Sequence, residues 1–150
     1  MKLLLASCLA LVVADVAAAA EERATTKDAE RMVHNAVAFY KKEGADKALK
    51  VFSDPKGAFT YRDLYIFAYK LDGTCVAHGQ SADRIGKNLI DSKDPDGKYF
   101  VKERIELAKK DGKGWQEYKF KNPLTGKVEE KVAYIERVDD VIIGSGAYKP

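Results

Sequence analysis

The sequence predicts an α+β domain: a mostly antiparallel five-stranded sheet with a long N-terminal helix packed on one face. Three observations predict it. One helical stripe runs through residues 29–40. From Leu64 onward the texture turns aromatic and β-prone. Tight-turn signals then cut the remainder into short strands, with one helical crossing between the second and third. The expected order is long helix, short helix, two strands, helical crossing, three strands.

Thr25 opens a [ST]-x-x-[DE] signature with Asp28, a capping box that starts the first helix. Ala29, Met32, Val33, Ala36, Val37 and Tyr40 fall on one face, and Gly44 ends the helix. His34 lies off that stripe and reads as a surface residue. Ala45, Ala48, Leu49 and Phe52 give a second, short helix, stopped by Ser53-Asp54-Pro55-Lys56-Gly57. Leu64 to Tyr69 and Thr74 to His78 flank Asp72-Gly73 and read as a hairpin. Residues 79–97 carry loop chemistry, and Asp94-Pro95-Asp96-Gly97 reads as a turn into the next helix, with Pro95 near its first position. That helix has Phe100 or Val101, Ile105 and Ala108 at helical spacing, with Gly112 beyond its end. Strands are expected over Trp115–Phe120, Val128–Val138 and Val141–Tyr148, joined by turns at 122–126 and 139–140.

The chain has 150 residues, 46% hydrophobic and 33% charged, with a formal net charge of +3. Residues 1–20 read as a signal peptide rather than as part of the fold. Met1-Lys2 is a positive start, Leu3 to Ala14 an apolar run, and the alanines up to Ala20 a small-residue cleavage site. Two other readings compete for this segment: lipidation of Cys8 in a lipobox-like Leu5-Ala6-Ser7-Cys8, which comes too early, and an uncleaved anchor, which Asp15 and the alanine run beyond it oppose. Lys2 and Asp15 cancel, so the remainder keeps a charge of +3. Residues 21–150 suffice for one domain with a real core. No later stretch approaches the ~18 apolar residues of a membrane span.

Most chemistry classes are excluded by what the sequence lacks. There is no G-x-S-x-G, no H-E-x-x-H, no phosphate-binding loop and no zinc spacing. Asp94-Pro95-Asp96-Gly97 lacks the later ligands of a calcium loop. No metal and no cofactor is expected, and the chain does not read as an enzyme. With Cys8 removed Cys75 is alone and reads as a buried thiol. A dyad with His78 fails on strand parity, because residues three apart in a regular strand diverge. Acidic residues are interleaved with the basic ones, so no nucleic-acid stripe forms.

What stands out is a set of aromatic residues among polar ones in the sheet half. Tyr65, Phe67 and Tyr69 share one strand face, and Trp115, Tyr118, Phe120 and Tyr134 follow. Each can be core packing; as a set with His78 and Lys131 they also describe an apolar pocket with a few convergent polar groups.

Several blocks, in order, resemble a known family: Asp63 to His78, Gly86-Lys87-Asn88-Leu89, Lys93 to Val101, Gly114-Trp115 with Tyr118, Asn122-Pro123, Gly126-Lys127, and Lys131 with Tyr134. From about residue 30 to 148 the sequence is similar to a single Cache domain, the PAS-like extracytoplasmic sensor module of bacterial receptors. The resemblance implies a PAS-like five-stranded antiparallel sheet with the long helix on one face. It also implies a small-ligand pocket on the other face, capped by the segment between the second and third strands. It maps that pocket to Tyr65, Phe67, His78, Tyr99, Trp115, Tyr118, Lys131 and Tyr134; the faces of Tyr118 and Lys131 depend on any bulge in their strands. Such sensors usually sit between two membrane spans. This sequence ends two residues after Tyr148, so the expectation is a freestanding periplasmic or secreted binding domain.

The expected ligand is a small organic acid. Lys131 and His78, with tyrosine hydroxyls, would hold its carboxylate, and Trp115 and Phe67 would wall it. The candidates include one fixed cation and no acid, and a charge-assisted hydrogen bond contributes roughly 1.5–3 kcal/mol. Two alternatives stand beside this. Lys131 can snorkel to solvent from an exposed face. The chain can also be an interaction subunit without a ligand, docking on a membrane receptor, kinase or transporter.

Overall fold

A computed structural model describes residues 23–150; residues 1–20, read above as a signal peptide, and Cys8 among them lie outside the described residues. In chain order the elements are α1 (Thr26–Glu43), α2 (Ala45–Phe52), β1 (Thr60–Tyr61), β2 (Leu64–Tyr65), β3 (Phe67–Lys70) and β4 (Cys75–His78). A 3₁₀ turn (Ala82–Arg84), α3 (Phe100–Asp111), β5 (Lys113–Lys121), β6 (Val128–Val138) and β7 (Val141–Tyr148) follow. The main sheet has the order β4-β3-β7-β6-β5 with every neighbouring pair antiparallel. The α+β plan read from the sequence is the one observed.

The capping box at the start of α1 is complete: the Thr25 hydroxyl accepts from the Asp28 N–H, and the Asp28 carboxylate accepts from the Thr25 N–H at 2.9 Å. The helix buries Val33, Ala36, Val37 and Tyr40, and with Phe52 of α2 these pack on Ile66, Ala68, Tyr134 and Ile143. Each fully buried Val or Phe side chain contributes about 1.5–3 kcal/mol, which fixes α1 to this face. The opposite face carries α3, whose Phe100, Val101, Ile105 and Ala108 meet Phe67, Tyr69, Tyr118, Ile135 and Ile142. Gly112 ends α3 with φ of 73°, a left-handed cap that glycine adopts without a Cβ penalty.

Three local expectations are corrected. The first strand is split at Ile66: Leu64–Tyr65 pairs with Thr60–Tyr61, and only Phe67–Lys70 enters the main sheet. Pro95 does not start the helix, which begins at Phe100. Instead the Asp94 carboxylate accepts N–H groups of Asp96, Lys98 and Lys119 at 2.9–3.0 Å, closing the turn on itself. Third, β4 carries a bulge. Phe67, Ala68 and Tyr69 oppose His78, Ala77 and Cys75, which leaves Val76 unpaired. The extra residue restores parity, so Cys75 and His78 point to the same face.

That shared face does not make a dyad. The Cys75 thiol donates to the Ala77 carbonyl at 3.5 Å. His78 Nδ1 accepts from the Gln80 and Ser81 N–H groups at 3.2 and 3.0 Å. Burial raises the thiol pKa, the opposite of what a nucleophile needs.

Candidate functional site

The α3 face of the sheet holds a buried cationic cage. β6 turns Lys131, Ala133 and Ile135 toward it, and β5 turns Gln116, Tyr118 and Phe120 the same way, because Tyr118 sits opposite Lys131 and Gln116 opposite Ala133. β3 supplies Phe67 and Tyr69, and the bulged β4 supplies His78. Lys131 is 1% exposed, so it does not snorkel to solvent.

Lys131 Nζ donates to the Tyr65 hydroxyl at 2.9 Å. Tyr65 and Tyr148 hydroxyls lie 3.1 Å apart, and Tyr148 donates to the Lys121 carbonyl at 2.7 Å. A carbonyl only accepts, so the donors run Lys131 to Tyr65 to Tyr148 to Lys121. Burial, and then the Arg104 cation, hold the Lys131 pKa well below its ordinary 10.5; Asp63 pulls the other way, and Arg84 adds a lesser lowering.

Two arginines complete the cage. Arg104 of α3 is also 1% exposed. Its Nε donates to Gln116 Oε1 at 3.1 Å, and Gln116 Nε2 donates to the Phe100 carbonyl at 2.6 Å. Arg84, on the 3₁₀ turn, reaches the Tyr69 hydroxyl at 3.4 Å. Shared rings show how closely the three cations converge. Phe67 has Arg104 at 4.1 Å and Lys131 at 5.3 Å from its centroid. Phe100 has Arg104 at 5.7 Å and Arg84 at 5.9 Å. Phe120 has Arg84 at 5.3 Å and Lys131 at 5.5 Å.

No carboxylate pairs directly with these groups; Asp63 acts on Lys131 without forming an ion pair with it. The ion pairs among the described residues all lie elsewhere, and Arg104 Nη2 and Arg84 Nε are buried without a hydrogen-bond partner. Aromatic faces offset part of the desolvation through their quadrupoles. A buried donor with no acceptor nonetheless costs on the order of 1–3 kcal/mol or more. An anion with two oxygens is the chemistry that would satisfy it.

Five of the expected pocket residues meet here: Tyr65, Phe67, His78, Tyr118 and Lys131. His78 is not a switchable donor, however. Burial, followed by Lys131, Arg84 and Arg104, lowers its pKa to about 2. With Nδ1 accepting two backbone N–H groups, the neutral ring carries its proton on Nε2.

Three expected residues do not join the cage. Trp115 opposes Tyr134 across β5 and β6, and both sit on the α1 face, with ring centroids 5.1 Å apart. The odd spacings Trp115–Tyr118 and Lys131–Tyr134 put each pair on opposite faces of unbroken strands. Tyr134 also takes the edge of His34, and Trp115 is 44% exposed. Tyr99, 41% exposed, lies outside beneath the Lys93 ammonium.

Sequence reasoning missed Arg104, Arg84, Gln116 and Tyr148 as site residues. Arg104 did leave a signal. It falls between Phe100 and Ala108 at i+4 spacing, a cation on the apolar stripe of a helix. Arg84 lies in a loop, where no periodicity marks a side chain as inward.

Comparison with known proteins agrees with this architecture. The sensor histidine kinase MctS of Rhizobium johnstonii is 35% identical over 89 residues, which is 58% of this chain and 19% of that kinase. The chain thus spans about a fifth of its length. A methyl-accepting chemotaxis protein of Vibrio parahaemolyticus superposes with a TM-score of 0.70 at 23% identity, covering 90% of this chain and 92% of that one. A Cache chemosensory domain, described for its carboxylic acid recognition, superposes with a TM-score of 0.66 at 21% identity over 83% and 88% of the two chains. These likenesses establish the fold. The family model for single Cache domain 2 matches residues 1–149, and the chain belongs to that family of sensor domains.

Proposed function

We propose that this domain is a non-enzymatic extracytoplasmic sensor whose α3-face cage binds a small carboxylate. One observation carries the reading: Lys131, Arg104 and Arg84 converge around shared aromatic rings, and none of them is in an ion pair among the described residues. Carboxylic acid recognition by a Cache domain of the same fold supports it. Arg104 Nη2 and Lys131 Nζ hold the carboxylate oxygens. Tyr65 positions Lys131, and Phe67 and Tyr118 wall the carbon chain. We also propose that residues 1–20 are removed on export without lipidation, so the intact mass of the native protein should begin near Glu21; a diacylated Cys8 terminus overturns that.

Calorimetry with acetate, propionate, lactate, pyruvate and succinate, each against its amide, tests the ligand class. A ligand of six heavy atoms is bounded at about 9 kcal/mol by ~1.5 kcal/mol per atom, so micromolar affinity is expected. Binding should be accompanied by proton uptake, because the arriving anion favours the ammonium form of Lys131 that burial disfavours. Affinity therefore strengthens as pH falls toward neutrality and weakens, by up to about tenfold per unit, as pH rises. Titrations in buffers of different ionisation enthalpy measure the uptake. Equal binding of acid and amide sinks the assignment, and no binding of any acid returns the chain to a docking role on a membrane receptor.

A further inference from the structure

We propose that anionic ligands first dock in an outer groove beside the cage and then pass the ring of Phe120 to enter it. This rests on the carboxylate reading above and adds the route. A groove of about 350 Å³ opens between the 92–95 loop and the end of β5, and Arg84, Lys93, Lys121, Phe100 and Phe120 are among its walls. Arg84, Phe100 and Phe120 are also walls of the cage, so one guanidinium faces both compartments.

The groove is positive in balance. Arg84, Lys93 and Lys121 take part in no ion pair among the described residues, while Lys119 is neutralised by Asp96 at 2.9 Å. The Asp94 carboxylate at its rim is occupied by three backbone N–H groups. Such a concave surface concentrates anions and speeds their capture.

Phe120 links groove and cage, with Arg84 at 5.3 Å and Lys131 at 5.5 Å from its ring centroid. It also lines a second groove, of about 260 Å³, together with Tyr65, Gln80, Ser81 and Lys121. The ring therefore borders two open grooves. Its contacts with Phe100 and Tyr118 are edge-on at 6.0 and 6.1 Å, not flat stacks. It is the last apolar residue of β5 before the 122–127 turn, so it can swing aside without unpacking the sheet.

Exchange of ¹³C-labelled propionate, measured by NMR line shape, tests the route. Phe120→Ala should raise the association and dissociation rates together by about threefold or more, with the dissociation constant changing less than either rate. Phe120→Leu gives the same test with a smaller cavity. The double variant Lys93→Gln/Lys121→Gln should lower only the association rate, by about threefold at low ionic strength, and the difference should vanish near 0.5 M salt, where screening acts within roughly 4 Å. Unchanged rates with an intact dissociation constant overturn the route alone. Failure of propionate to bind the wild-type protein at all overturns the carboxylate reading and the route with it.

Discussion

Lys131→Met is expected to weaken carboxylate binding by at least tenfold while stabilising the unliganded domain. The first effect follows from losing a buried charge-assisted hydrogen bond, roughly 1.5–3 kcal/mol. The second follows from burial. The unfolded chain keeps Lys131 protonated up to its ordinary pKa of 10.5, whereas the folded cage, with two guanidinium groups nearby, disfavours that proton. Folding at neutral pH thus works against this group, and replacing a buried polar group by an apolar one of similar length relieves the penalty, by something on the order of 1 kcal/mol. The sign with pH is fixed. A base whose folded pKa is depressed costs stability below its unfolded pKa, and that cost fades as pH rises toward 10.5. The gain in the variant should therefore be larger at pH 7 than at pH 10. Thermal unfolding at both pH values and calorimetry with propionate check it. A variant that binds normally, or that is less stable at pH 7, contradicts the cage as described.

Gly144→Ala should be among the most damaging single-methyl changes in the molecule. Gly144 lies in β7 opposite both Phe67 and Ile135. A Cβ there would fall 2.3 Å from Phe67 Cε2, 2.5 Å from Cζ and 3.0 Å from Ile135 Cγ2. The ring cannot yield easily, because the Arg104 guanidinium lies 4.1 Å from its centroid on the cage side. Overpacking of this kind costs about 1–3 kcal/mol, a fall in Tm on the order of 5–10 °C. Binding should suffer too, since Phe67 walls the proposed site. The double variant Gly144→Ala/Phe67→Leu should recover much of the Tm and little of the affinity, which separates the clash from the lost wall. A Tm within 1–2 °C of wild type for the single variant, a shift worth only about 0.5 kcal/mol, would show that the sheet and ring adjust freely.

The sequence by itself determined the architecture. Helical periodicity located α1, α2 and α3, turn chemistry bounded the hairpins, and the capping box at Thr25 and Asp28 marked where α1 begins. It also exposed most of the face that carries the cage, because Tyr65, Phe67 and Tyr69 alternate along one segment, as does Tyr118 with Phe120. Strand parity even held the information that separates Trp115 from Tyr118 and Tyr134 from Lys131, since β5 and β6 pair without interruption. The same rule misled at Cys75 and His78, where the bulge at Val76 inserts one residue and turns both side chains to one face.

Only the tertiary structure decided the site. Lys131, Arg104 and Arg84 come from a strand, a helix and a loop separated by 20 or more residues, and none has a local pattern that names the others. They meet because α3 packs its apolar stripe on Phe67, Tyr118 and Ile135, carrying Arg104 inward with it, and because the turn after β4 returns Arg84 over Phe100 and Phe120. Periodicity along a chain records which side of an element is buried. Which charges end up sharing one aromatic ring depends on how separate elements dock, a long-range packing choice with no period to read.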